Sequence, residues 1–178
     1  MSHRVALAFG IALAMTTAKP TTAQDLDDTL YMDLEHGRVV IELRPDVAPQ
    51  HAERLKELTR DGFYDGVIFH RVIPGFMAQT GDPTGTGRGG SDLPDLPAEF
   101  SAEPFVRGTV GMARTMDPNS ANSQFFINFA PARHLDGQYT VVGQVVEGME
   151  HVDQIAPGEP PPAPDAILRM QVAADTEG

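Results

Sequence analysis

Fourteen residues, Phe69-His70-Arg71-Val72-Ile73-Pro74-Gly75-Phe76-Met77-Ala78-Gln79-Thr80-Gly81-Asp82, bring together a guanidinium, a carboxamide and a run of large apolar side chains. The Pro74-Gly75 pair between two extended segments predicts a turn. One pocket can then receive the Arg71 fork, the Gln79 amide and an apolar floor. A second block, Ser123-Gln124-Phe125-Phe126-Ile127-Asn128, has the same character, and a third is Leu135-Asp136-Gly137. In a regular strand His70 and Arg71 face opposite sides. Both line one pocket only where the chain is kinked or bulged.

Conventional catalytic sets are poorly represented. There is no H-E-x-x-H and no histidine pair at ligand spacing, so no metal site is expected. No serine sits in a G-x-S-x-G elbow. His134 and Asp136 are close in sequence and not far from Ser123, but a triad is defined by geometry rather than by spacing. Gly85-Thr86-Gly87-Arg88-Gly89-Gly90 fits G-x-G-x-x-G. A nucleotide loop of that kind opens a helix, whereas Ser91 to Pro97 follows here with two prolines and two acids. A flexible loop at the rim of the site is the better reading.

Composition removes further classes. The 178 residues suggest one domain. Formal charge is −12, and residues 1–23 carry Arg4 and Lys19 but no acid, so the remainder has 11 basic against 25 acidic residues, or −14. Such a surface repels phosphate backbones and anionic lipids, and nucleic acid is not an expected partner. Zero cysteines excludes disulfides and thiol catalysis.

The elements that must position these residues are mostly short strands. Leu30 to Glu35 alternates apolar and polar, His36-Gly37 suits a tight turn with His36 exposed, and Arg38 to Leu43 returns. A helix is expected from about Ala48, with Pro49 in its first turn and Asp61-Gly62 as its stop. Ala52, Leu55 and Leu58 form its buried stripe; His51, Glu53, Arg54, Lys56 and Glu57 read as its solvated face. Strands are expected over Val67–Ile73, Gly108–Ala113, Gln124–Asn128, Tyr139–Val146 and Ala166–Val172, and a short helix over Met149–Ile155. Pro157 to Pro164 holds five prolines in eight residues and reads as an extended loop. Many short strands with two helical stretches predict a mainly β fold, a closed antiparallel barrel capped by two α-helices.

From about Leu30 to Ala174 the chain resembles the cyclophilins, the peptidyl-prolyl cis-trans isomerases, through FHRVIPGFMAQTGD and NSQFFIN. The resemblance implies an eight-stranded barrel with its site on the outer face, and isomerisation of X–Pro bonds in proline-containing polypeptides without a cofactor. It implies Arg71 as the catalytic residue. It places Phe76, Met77, Phe126 and Leu135 around the proline ring, although from residue type alone the first three read more readily as core. Gln79 and Gln124 would bond the substrate backbone, Ala113 and Arg114 would lie beside the residue before proline, and His70 would join the wall. Three positions depart from the pattern of many eukaryotic members: His134 stands for tryptophan, Tyr139 for histidine and Arg114 for asparagine. Losing the indole implies weak cyclosporin binding. A non-catalytic proline-peptide-binding chaperone on the same barrel is the alternative.

Such chemistry needs little equipment. The barrier of about 18–20 kcal/mol is amide resonance, which the rotated state loses. A catalyst must favour the twisted amide over both planar forms. A fixed, always charged donor aimed at the pyramidal imide nitrogen does this.

At the N-terminus, Ser2-His3-Arg4, the apolar run Val5 to Met15 and the small residues Thr21-Thr22-Ala23 read as an export signal over residues 1–23, too short for a comfortable membrane span. The domain would then occupy 24–178, act in the periplasm as a monomer, and keep no stable membrane association after cleavage.

Overall fold

A computed structural model describes residues 25–176; the expected export signal lies outside them. The chain forms strands β1 (Thr29–Leu34), β2 (Gly37–Leu43), β3 (Arg71–Ile73), β4 (Met77–Thr80), β5 (Thr109–Met112), β6 (Phe125–Asn128), β7 (Val141–Glu147) and β8 (Arg169–Val172). Helices α1 (Pro49–Arg60) and α2 (Met149–Val152) follow β2 and β7. Among the described residues no helix is long and apolar enough to cross a membrane.

The strands make one antiparallel sheet in the order β3-β4-β6-β5-β7-β2-β1-β8. Register shifts at Val40/Ile41 and Val110/Gly111 bend it. Its concave side holds the main core, with Leu30, Met32, Ile41, Phe69, Val110, Phe125, Ile127 and Met170 buried together. The expected closed barrel is not formed: the sheet is an open half-barrel whose outer strands β3 and β8 share no ladder. Isolated bridges Ile68–Ala166 and Val72–Gly158 span the gap instead. The physical reason is the segment 157–164, whose five prolines lack the N–H that a continuous ladder requires. The expected strand Val67–Ile73 accordingly shrinks to Arg71–Ile73, and Ala166–Val172 to Arg169–Val172.

Helix α1 starts at Pro49, where a missing N–H costs no helical bond. Its next free donors are met from a distance: the Glu99 carboxylate accepts from the backbone N–H of Gln50 and His51. Ala52, Leu55 and Leu58 are buried as expected, but His51 and Arg54 are buried too. The loops on either side of β5, through Pro94, Glu99 and Asn122, cover that flank. His51 Nδ1 lies 2.7 Å from Glu99 Oε2, and Arg54 donates to the carbonyls of Pro94 and Asn122. His36, expected to be exposed, is half-buried with Nε2 3.3 Å from Asp165.

Candidate functional site

Residues directly opposed across neighbouring strands turn their side chains to the same face. In β3 and β4, Arg71 pairs with Gln79; in β4 and β6, Gln79 pairs with Phe126; in β6 and β5, Phe126 pairs with Gly111. One row across the convex side therefore runs guanidinium, carboxamide, aromatic ring, glycine. The neighbours of this row, Val72, Ala78, Phe125, Ile127 and Val110, point the other way into the main core.

The row is backed by a second, smaller apolar cluster of Met77, Phe105, Phe126, Ala132, Leu135 and Val141, with Ile73, Phe76, Ala113 and Tyr139 packed against it. This cluster buries the convex side of β4, β5 and β6. Gly111 makes it possible, because a Cβ there would lie 2.5 Å from Phe126 Cζ and 2.6 Å from Phe105 Cε1. The Phe126 ring fills that space, stacked on Phe105 at 5.8 Å and met edge-on by Tyr139 at 5.9 Å. Phe105 is held in turn by its N–H, which donates to Asp136 Oδ1. The Leu135-Asp136-Gly137 block thus supplies one wall residue, Leu135, and one brace beneath the floor.

A pocket of about 540 Å³ opens over this cluster. Ten of the twelve residues singled out from sequence line it: His70, Arg71, Phe76, Met77, Gln79, Ala113, Arg114, Phe126, Leu135 and Tyr139. His70 reaches the same wall as Arg71 because it lies just before β3, outside the regular ladder. Its ring is buried, neither nitrogen has a hydrogen-bond partner among the described residues, and burial, with the Arg71 charge, pushes its pKa down despite Asp82. Arg114 is fixed at the opposite wall. Nη2 donates to Gln138 O at 2.7 Å, Nη1 to Thr115 O at 2.9 Å, and its guanidinium lies 4.4 Å from the Tyr139 ring centre.

The remaining two lie beside the pocket. His134 is exposed, its ring 5.5 Å from that of Phe76. Gln124 lines an adjoining polar pocket and orients Gln79. Its Nε2 donates to the carbonyls of Gly87 and Gly89, so its Oε1 must face the other way, where it accepts from Gln79 Nε2 at 2.9 Å. Gln79 Oε1 is then left as an acceptor for a ligand N–H.

The glycine-rich stretch is the rim of this pocket, through Gly85, Thr86 and Gly87. The backbone N–H groups of Gly85 to Gly89 are all engaged within the loop and not free for a phosphate. The buried Asp82 carboxylate accepts from the N–H of Thr84, Gly87 and Gly89 and from the hydroxyls of Thr84 and Thr86. Burial alone would raise the Asp82 pKa, but these hydrogen bonds prevail and bring it down to about 2. The triad reading fails on geometry: Ser123 Oγ donates to Gly81 O, and Asp136 is taken by the Phe105 N–H and Arg133.

Sequence reasoning missed Glu159 and Pro160 on the pocket wall. The proline run was visible, but not the bridge between Val72 and Gly158 that carries it to the edge of β3.

The family described as "Cyclophilin type peptidyl-prolyl cis-trans isomerase/CLD" matches residues 29–172, from the first strand to the last. The chain belongs to that family. It is a cyclophilin-type enzyme, and the relatives agree in name. A "Probable peptidyl-prolyl cis-trans isomerase" of Brucella suis is 51% identical over 189 residues, covering 97% of this chain and 96% of that protein. The crystal structure of a cyclophilin from Hirschia baltica has a TM-score of 0.79 at 30% identity, covering 85% of this cyclophilin and 76% of that chain. A Cryptosporidium parvum cyclophilin, crystallised in the presence of the dipeptide Ala-Pro, has a TM-score of 0.76 at 27% identity, covering 81% of this cyclophilin and 98% of that chain.

Proposed function

We propose that this cyclophilin accelerates rotation about X–Pro bonds by holding the proline ring in the hollow of Phe76, Met77, Phe126 and Leu135 while Arg71 stabilises the twisted amide. The observation that carries the reading is the cross-sheet row, which stands a charged fork beside an amide acceptor and an aromatic floor. As the C–N bond turns, the imide nitrogen regains its lone pair and becomes an acceptor. An Arg71 N–H directed at that nitrogen gains in the twisted state more than in either planar form. Gln79 Oε1 accepts a substrate backbone N–H and keeps one side of the peptide still while the other swings. The apolar wall excludes water, so each of these contacts is stronger than it would be in solvent.

The substrates are proline-containing segments of unfolded or flexible polypeptides. The export signal read from residues 1–23 puts the site of action in the periplasm, on envelope proteins. Arg71→Ala tests the mechanism. One charge-assisted hydrogen bond is worth about 1.5–3 kcal/mol, so kcat/KM on an Ala-Pro peptide is expected to fall roughly ten- to a hundredfold. Arg71 is exposed and outside both apolar clusters, so the fold should persist. A variant that keeps full turnover would overturn the role given to Arg71 and leave peptide holding as the better description.

A further inference from the structure

The sheet edge at β3 is completed by a residue that the isomerase reading does not use. Val72 and Gly158 exchange both backbone hydrogen bonds, at 2.8 and 2.9 Å. In an antiparallel pair this makes Arg71 and Glu159 the next opposed residues, with side chains on the face away from buried Val72. Their side chains meet there. Glu159 Oε1 lies 2.8 Å from Arg71 Nε, and both residues line the pocket. Gly158 has a φ of 146°, and a Cβ there would lie 2.5 Å from Pro161 Cα, so the backbone that delivers Glu159 depends on glycine at that position.

The atom that Glu159 takes matters more than the pairing itself. An arginine fork has one donor on Nε and four on its two Nη nitrogens. Glu159 occupies the Nε edge, and no other hydrogen bond to the Arg71 side chain is made among the described residues. The four Nη hydrogens are left for a ligand. Without the carboxylate, the long Arg71 side chain has no fixed partner, and its rotamers spread over solvent and pocket. A guanidinium held by one edge also keeps its plane when a substrate arrives, which is the preorganisation that transition-state stabilisation requires.

We infer that Glu159 is a positioning residue, which clamps Arg71 by Nε and presents the two terminal nitrogens to the turning amide. The inference rests on the role proposed above for Arg71, and it adds the loop after α2 to the catalytic apparatus. Both side chains are about half exposed, so the effect is modest and salt-sensitive.

The test is a double-mutant cycle on an Ala-Pro peptide, with NMR exchange as the readout. Glu159→Ala is expected to lower kcat roughly twofold to fivefold with little change in KM. Glu159→Gln keeps an oxygen acceptor for Nε and should recover part of the loss. In an Arg71→Ala background, Glu159→Ala should change nothing. The deficit of Glu159→Ala should also narrow at high salt, and the Val72 and Gly158 amide shifts should stay at their native values. An equal loss with and without Arg71 would mean that Glu159 merely holds the loop, and would overturn the inference. So would unchanged kcat in Glu159→Ala while Arg71→Ala is severely impaired. If Arg71→Ala itself retains full activity, the mechanism proposed for Arg71 falls first and the positioning role falls with it, a result distinct from the other two.

Discussion

Asp82→Asn is the substitution with the most informative failure. The side chain is 1% exposed and gathers five donors, Oδ1 serving Thr84 and Oδ2 serving Gly87, Gly89 and Thr86. Asparagine has the same shape but one oxygen, so its NH₂ must face N–H donors on one side or the other. A carboxyl drawn from 3.8 to about 2 stabilises the fold by roughly 2 kcal/mol at neutral pH. Unmet buried donors add about 1–3 kcal/mol. A total loss of about 3–5 kcal/mol should lower Tm by roughly 6–20 °C. The loop it holds also carries Gly87 O and Gly89 O, which orient Gln124 and through it Gln79. KM on an Ala-Pro peptide should therefore rise more than kcat falls. The pH dependence checks the cause. The folded pKa is depressed, so the contribution is complete above 3.8 and disappears as pH falls through about 2. The gap in Tm between the two proteins should close over that range. Equal Tm values at pH 7, or a gap that ignores acid, would refute the account of Asp82 as an internal anion for the glycine loop.

Other expectations follow from the same geometry. Gly111→Ala puts a methyl where the Phe126 and Phe105 rings lie, and should raise KM at least severalfold while moving Phe126 ring resonances; unchanged KM would contradict the floor. Burial lowers the pKa values of His51 and His70, the Glu99 contacts opposing this for His51, so the unfolded chain binds protons first and stability should decline as pH drops below 6.5. Thermal melts that stay level from pH 7 to 5 would count against both histidines as buried neutral groups. His134→Trp adds an indole donor and apolar area beside Phe76, and should tighten cyclosporin binding about tenfold or more by calorimetry; an unaltered Kd would refute a role for this position in that binding.

Much of the site could be read from residue order because its parts lie on strands, where alternation decides facing. Arg71, Gln79 and Phe126 fall in one row for that reason, and the two signature blocks contain all three. The burial of His51 and Arg54 was not legible: an amphipathic stripe says which side of α1 faces the sheet, not that a distant loop covers the other flank. Gln124 has the residue type of a substrate contact, yet two glycine carbonyls far along the chain decide where its amide points. Closure of the sheet was misread for a related reason. Strand count suggests a barrel, but whether the outer strands β3 and β8 join depends on the backbone donors in the segment laid between them, and that segment holds five prolines. Glu159 escaped notice because its place is set by that same non-ladder bridge.

The unclosed seam has a consequence for a cyclophilin-type isomerase, whose substrates are polypeptides. A bare strand edge would invite such chains to add on and aggregate. Here the Val72 backbone is already engaged by Gly158, the Met170 N–H by Asp65, and the segment laid between them is rich in a residue that cannot donate. Along this stretch of the described residues, an arriving polypeptide finds little free backbone on which to add a strand.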